Sequence, residues 1–347
     1  MFEKLLSFGG LVKLETITAY GASALRLLNY IGPFLAVAVY LLIFANLFIF
    51  FEVLFPMIYR NYGPFQTWLM SIFGLYLAFN IWFNHLMGMM IRPGNLKDYY
   101  LNYATKEQDL RRKEDVLRHK TESDSGTDMK SLLKHSHCDI DNAIDVNGRV
   151  CEKCAWYQSV ENHDTEKYEQ GDHPYKPIRF HHCSICQDCI MNMDHHCPWF
   201  NNCVGLNNNR YFLLFLFHLW ISNIFMLYHL YECSGQPHFY KHGSIASIGL
   251  GMHVGLFFGI GFFNIWQWYL TLKGIPQVEF IQTRLNRKMK SGSYTHDFGL
   301  KSCRDNLYMT FGTRNLFAQF LPSLRSLPLN GLEFSAQKKS STCFTKM

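Results

Sequence analysis

The run MDHHCPWFNNC, residues 193–203, sets Asp194, His195, His196 and Cys197 in succession and adds Cys203 six residues on. Two chemistries use such a set. Cysteine and histidine are the ordinary ligands of structural zinc, which takes four of them in a closed tetrahedron. A carboxylate, an imidazole and a thiol are also the parts of an activated nucleophile: the acid orients the ring, the ring takes the thiol proton, and the thiolate attacks an electrophilic carbon. A cysteine ordinarily titrates at about 8.5, so at neutral pH the second chemistry needs the neighbouring base.

The other cysteines widen the choice. Of eleven in the chain, seven lie between 151 and 203, at positions 151, 154, 183, 186, 189, 197 and 203. Cys151 and Cys154 share a two-residue spacer with Cys183, Cys186 and Cys189, which His181 and His182 directly precede. Two closed tetrahedral sites need eight ligands. Six cysteines with two histidines supply them and leave one thiol over; seven cysteines with one histidine supply them and leave none. Counting does not separate the two.

The elements that must position these residues are apolar. The stretches Phe34–Phe55, Phe65–Ile91, Tyr211–Tyr231 and Ser244–Leu272 each reach the roughly 20 residues a helix needs to cross a bilayer. A soluble protein with greasy core helices is the competing reading, but soluble helices keep a polar face that these lack. His85, His218, His229 and His253 read as packing residues or the lining of a wet cavity rather than as ligands. Gly251, Gly255 and Gly259, four residues apart, predict a face packed closely on another helix. Lys13, Glu15 and Arg26 interrupt the first 32 residues and exclude a secretory signal there; an interfacial amphipathic segment remains. Residues 111–120 read as a solvated helix face and 121–150 as a polar linker.

Net charge is +6, and its distribution sets an orientation. Lys and Arg number 3 before the first span, 16 across residues 92–210 and 12 from Lys273 onward, against Arg60 and Lys241 alone in the two short connections. By the positive-inside rule, both termini and the long middle loop face the cytosol. A reducing compartment disfavours disulfides and favours metal binding or catalysis. The charge accompanies no nucleic-acid-reading motif and suits anionic lipid. The expected fold is an all-α membrane protein: a cytosolic N-terminal segment (1–32), transmembrane helices 1 and 2 (33–91), a linker (92–150), a cysteine-rich zinc domain (151–210), helices 3 and 4 (211–272) and a cytosolic C-terminal region (273–347).

With these residues in view, KPIRFHHCSICQDCIMNMDHHCPWFNNCVG, residues 176–205, resembles the cysteine-rich domain of the DHHC protein S-acyltransferases, or palmitoyltransferases. The four-span layout is also that family's. The resemblance implies two structural zinc ions, one held by Cys151, Cys154, His182 and Cys189, the other by Cys183, Cys186, His196 and Cys203. Cys197 is then the spare thiol and the nucleophile, with His195 as general base and Asp194 as its orienter; His181 is not implied as a ligand. Palmitoyl-CoA is implied as co-substrate, membrane-associated proteins with cytosolic cysteines as acceptors, and the endoplasmic reticulum or Golgi as the membrane.

The chain departs from that family's pattern at three places. Residues 155–175 are an insertion between Cys154 and Lys176. Arg92-Pro93-Gly94 replaces Asp-Pro-Gly after the second span, and Pro276-Gln277-Val278-Glu279 replaces Thr-Thr-x-Glu after the fourth. Asn306 matches the asparagine of the family's C-terminal element, where packing against the spans is the expected role. Acyl-CoA joins an apolar tail to a phosphorylated head, so the nucleophile belongs at the bilayer surface. Cys197 stands fourteen residues before Tyr211, with Trp199 beside it. For Lys176, Arg179 and Arg210, phosphate contact and ordinary juxtamembrane charge weigh about evenly. Two other readings stand against the enzyme: a non-catalytic membrane-anchored zinc-binding interaction module, in which all seven cysteines are ligands, and a transporter, which would need paired charges within its spans.

Overall fold

The computed structural model describes residues 14–95, 151, 179–235, 243–288 and 302–328. Cys154, Lys176, the insertion at 155–175 and both stretches between 111 and 150 lie outside the described residues.

Helix α1 (Leu14–Ile49) runs through one π-helical turn (Phe50–Leu54) into α2 (Phe55–Met90). The connection expected at 56–64 is instead helical as far as Tyr62, because Pro56 falls in the first turn of α2, where a proline is tolerated, and the break comes only at Gly63-Pro64. Gly63 takes φ 77° and ψ 176°, a conformation open in practice only to glycine. There the chain doubles back. The Tyr40 and His85 rings meet edge to face at 5.1 Å, and Phe55 and Trp68 at 5.8 Å. Among the described residues three helical runs are long and apolar enough to cross a membrane: Tyr30–Met90, Asn209–Cys233 and Ala246–Lys273. The first, of 61 residues, is about 90 Å of helix against a ~30 Å hydrocarbon core.

Helix α3 (Asn209–Cys233) packs between α2 and α4 (Gly243–Lys273). Away from the cysteine-rich region, Val53, Leu54, Met57 and Ile58 close a core with Met226 and Leu230. Nearer to it, Val39, Ile81, Phe200, Phe212 and Phe215 close a second. Outward-facing Phe34, Leu41, Phe44, Phe65, Phe258 and Phe262 are each more than 60% exposed. So apolar an exterior belongs to a membrane protein, with hydrocarbon as its solvent.

Two expectations need correction. The chain is not all-α: β1 (Phe180–Cys183) pairs antiparallel with β2 (Asp188–Met191), and β3 (His195–Cys197) with β4 (Asn202–Val204). Gln187, Asn192 and Asn201 supply the positive-φ corners that such tight reversals require. Among the described residues the glycine stripe packs against nothing, since a Cβ on Gly251, Gly255 or Gly259 would meet no atom within 4 Å. The close approach of α3 is made at Gly261 instead, where a Cβ would meet the Trp220 indole at 2.6 Å.

The hairpins are fastened to the end of α2, whose last carbonyls have no partner within their own helix. Asn202 Nδ2 donates to the carbonyls of Gly88, Met89 and Ile91 at 3.0–3.2 Å. Asn208 Nδ2 reaches Gly88 and Ile91 at 3.3 Å and Cys203 at 2.8 Å. Beyond α4 come α5 (Gln277–Lys288), α6 (Cys303–Phe311) and α7 (Leu316–Gln319). Asn306 of α6 donates to the Leu272 carbonyl at 2.8 Å, and Trp268 of α4 stacks on Phe311 and Phe320, each at 5.7 Å.

Candidate active site and metal-binding groups

Successive residues of a strand point to opposite faces, and this alternation sorts the tetrad. On β3, His195 and Cys197 share one face and His196 takes the other. Cys203 lies directly across from His196 on β4. On β1, His182 lies across from Cys189, while Cys183 next to it points the other way.

Two groups of ligating atoms result, each with its atoms within 4.8 Å of one another: Cys183, Cys186, His196 and Cys203 in one, Cys151, His182 and Cys189 in the other. Cys154, the fourth residue expected in the second group, lies outside the described residues. In the first group the three sulfurs stand 3.8, 3.4 and 3.5 Å from His196 Nδ1, and Cys186 Sγ lies 3.4 Å from Cys203 Sγ. A tetrahedron with bonds of about 2.1–2.3 Å has edges of about 3.5–3.8 Å, so the donor set fits a metal ion. The electrostatics ask for one. Against the Cys183 thiolate, the Cys186 thiol is pushed up to about 12 and that of Cys203 is also raised; only a cation lets several thiolates crowd together. In the other group, Cys151 Sγ is 3.6 Å from His182 Nδ1.

Cys197 belongs to neither group. It is 5% exposed and packs with Val39, Ile81 and Phe200. His195 Nδ1 meets Asp194 Oδ2 at 2.7 Å, and Cys197 is the ring's other polar neighbour. With Nδ1 engaged, Nε2 is the nitrogen left for the sulfur. Burial alone would lower the pKa of this imidazole; the hydrogen bonds and charges of Asp194 and Cys197 outweigh it and push the pKa up to about 9. The Phe212 ring, edge-on at 4.8 Å, fixes its plane. Asp194 is itself buried, and its Oδ1 accepts the backbone N–H of Gln277 at 2.8 Å.

Below Cys197 and His195 a cavity of about 430 Å³ descends between the four long helices, walled by Ile43, Ile81, Phe215, Leu219 and Ile260 among others. A thiol with a base beside it thus opens onto an apolar hole: an arrangement able to hold a long hydrocarbon chain by one end and react at that end.

The structure brings together every expected site residue that it describes. His181 stands outside both metal groups, 3.9 Å from Glu279. His85 Nε2 donates to the Trp199 carbonyl at 3.0 Å, which anchors the loop after Cys197. Of the cations considered for phosphate, Arg179 is engaged by both oxygens of Glu279, at 2.9 and 3.2 Å, and by the Gly274 carbonyl at 3.0 Å. Arg210 is buried, donating to Tyr211 Oη at 2.7 Å. The sequence reading missed the parts played by Gln277, Asn202 and Asn208. Gln277 acts through its main chain, which no side-chain motif reports; Asn202 and Asn208 lie in or just after the recognised run, where their amides could have been read as helix-end caps.

Comparison with known proteins agrees with this geometry. The model of the DHHC palmitoyltransferase family matches residues 162–284. Probable protein S-acyltransferase 15 of Arabidopsis thaliana is 32% identical over 180 residues, covering 48% of this chain and 68% of the relative. Palmitoyltransferase ZDHHC3-A of Danio rerio is 50% identical over 62 residues, 17% of this chain and 20% of the relative. Palmitoyltransferase ZDHHC2 of Mus musculus is 68% identical over 41 residues, 12% and 11% of the two chains. These two vertebrate matches thus span a fifth or less of those proteins, whereas the plant match extends over two thirds of its length. With a family model matched across the cysteine-rich region and a relative matched over two thirds of its length, this chain belongs to the DHHC palmitoyltransferase family.

Proposed function

We propose that the protein transfers a long-chain acyl group from acyl-CoA to cysteines of membrane-associated proteins through an acyl-cysteine at Cys197. What carries the reading is the position of that thiol: outside both metal groups, beside His195, and at the mouth of the apolar cavity. Each buried CH₂ stabilises a bound chain by about 0.8 kcal/mol, so the cavity supplies affinity for the tail while the reacting carbonyl stays beside Cys197.

His195 Nε2 takes the Cys197 proton and, with its pKa raised, holds it as an imidazolium beside the thiolate that attacks the thioester carbon. The carbon–sulfur bond to CoA breaks, and the imidazolium returns that proton to the departing thiolate. An acceptor cysteine then attacks the acyl-enzyme, its proton passing through the same nitrogen to Cys197. One thioester is exchanged for another in each step, so no oxidant or energy source is consumed. Asp194 holds the ring with Nε2 towards the sulfur and stabilises the imidazolium.

Two zinc ions are assigned to the Cys/His groups, with Cys154 as fourth ligand of the first. A zinc ion with four protein ligands is saturated, and its contribution is to hold the hairpins that present β3. We place the cysteine-rich domain and both termini on the cytosolic side of four transmembrane crossings, from the distribution of basic residues and the reversal at Gly63. Assignment to the endoplasmic reticulum or Golgi rests on the family resemblance alone.

The test is transfer itself: purified protein in liposomes, labelled palmitoyl-CoA, and a lipid-anchored peptide with a single cysteine. Hydroxylamine-labile label on the peptide, absent with Cys197→Ser, is expected. Undiminished transfer by Cys197→Ser overturns the proposal, and a membrane-anchored zinc module predicts no transfer by either protein.

A further inference from the structure

The cavity wall is not apolar throughout. Deep inside it are Asn46 of α1, Ser222 and Asn223 of α3, and His253 of α4. Asn223 and His253 are 2% and 3% exposed. Asn223 Nδ2 donates to the Leu219 carbonyl at 3.2 Å, so its Oδ1 is the acceptor that meets His253 Nδ1 at 2.6 Å. The ring proton of His253 is therefore on Nδ1, and Nε2 presents a bare lone pair. That nitrogen is buried with no hydrogen-bond partner. Asn46 repeats the pattern: its Nδ2 donates to the Leu42 carbonyl at 2.8 Å, and its Oδ1 is buried and unpartnered. Among the described residues, two acceptors on different helices thus line one greasy cavity with nothing to accept from. Groups left so in hydrocarbon are costly, and inside membranes they mark sites of function.

Their depth follows from the helices. Phe263 lies against His195 at 6.4 Å, and from it α4 steps ten residues to His253, about 15 Å at a rise of about 1.5 Å per residue. From Phe212, also against His195, α3 steps eleven residues to Asn223, about 16 Å. A zigzag of ~1.5 Å single bonds advances about 1.25 Å per carbon, which brings roughly the twelfth carbon of a chain on Cys197 to this level.

We infer that His253 and Asn46 form a specificity site for an O–H donor near the twelfth carbon of the acyl chain. Resting on the acyl-transfer reading above, it extends that reading to the class of chain preferred. The donor comes either from a hydroxyl on the chain or from a water held beyond the methyl end of a shorter one. A saturated chain that runs past this level leaves both acceptors unpaired.

Single-turnover acylation of Cys197 by dodecanoyl-CoA, 12-hydroxydodecanoyl-CoA and palmitoyl-CoA tests this, with wild type, His253→Leu and Asn46→Leu compared. With a chain-borne hydroxyl, wild type takes the 12-hydroxy thioester about tenfold faster than dodecanoyl-CoA, the factor that an unpaired buried partner carries. With a held water, the two twelve-carbon thioesters react alike and about tenfold faster than palmitoyl-CoA. In either case the variants level the ratios, and His253→Gln, which keeps an acceptor, restores them. The two leucine variants sit on different helices, so one serves if the other fails to fold. Ratios that stay within twofold of wild type in both overturn this inference and leave acyl transfer standing. No acylation of wild type by any of the three overturns acyl transfer as well.

Discussion

Asp194 Oδ1 accepts the backbone N–H of Gln277 at 2.8 Å, so the carboxylate that meets His195 is tied at its other oxygen to the first residue of α5. The orientation of the base thus depends on where α4 ends and α5 begins, more than eighty residues downstream. The Gln277 N–H is free for this because a helix leaves its first amides without internal partners. The side chain is otherwise engaged, its Oε1 accepting from Gln267 at 2.9 Å.

Main chain and side chain are therefore separable. Gln277→Pro fits the first turn of a helix but deletes the N–H, leaving a buried carboxylate oxygen unpaired. The rate of Cys197 acylation is expected to fall about tenfold, while Gln277→Ala stays within about threefold of wild type. Stopped-flow measurement with labelled palmitoyl-CoA separates the two, and equal losses would assign the role to the side chain.

How much of this was legible in the sequence depends on what each residue does. The long helices were readable because crossing a bilayer demands apolar length whatever the packing, and the tetrad because ligand and nucleophile types are few. The reversal at Gly63 was placed within a nine-residue connection, since nothing in Pro56–Tyr62 announces that the helix continues. The β-hairpins had no alternating apolar pattern to betray them, because β1 turns a metal-group residue to each face (His182 and Cys183) and β3 alternates metal-facing His196 with cavity-facing His195 and Cys197. Backbone donors such as that of Gln277 leave no trace in residue identity.

Arg179 and Glu279, with side chains 3% and 11% exposed, pair at 2.9 Å and hold α5 against the first hairpin. Removing one partner of a buried pair costs about 3–5 kcal/mol. Glu279→Gln is expected to lower the thermal midpoint in detergent, and a double replacement of both residues to lower it by less than the sum of the single effects.

The same pair carries a pH dependence. Burial by itself would raise the Glu279 carboxyl; the charge of Arg179 outweighs it, helped by His181 and by the Arg179 hydrogen bonds, and the pKa is held below its ordinary value. A depressed folded pKa stabilises above the unfolded value of about 4.5 and loses that contribution as pH falls through the folded one. The gap in thermal midpoint between wild type and Glu279→Gln should be full at pH 7 and close below about pH 4.5. A gap that widens on acidification would contradict this sign.

Gly88 of α2 has the Phe200 ring where a Cβ would stand, and Phe200 packs beside Cys197 in the core at the cavity mouth. Gly88→Ala must displace that ring. Overpacking of this kind costs about 1–3 kcal/mol, and slower acylation of Cys197 should accompany the lower melting temperature. An alanine variant with wild-type rate would show that the ring can move without disturbing the thiol.

Metal content and acylation together address the central claim, that Cys197 stands apart from the metal groups and reacts. Purified wild type, Cys197→Ser and Cys203→Ser would each be analysed for zinc and, after incubation with labelled palmitoyl-CoA, for hydroxylamine-labile label mapped by peptide. The account predicts two zinc ions and label on Cys197 in wild type, two zinc ions and no label in Cys197→Ser, and loss of about one zinc ion in Cys203→Ser. Loss of a zinc ion in Cys197→Ser, or label on another cysteine in wild type, would contradict it.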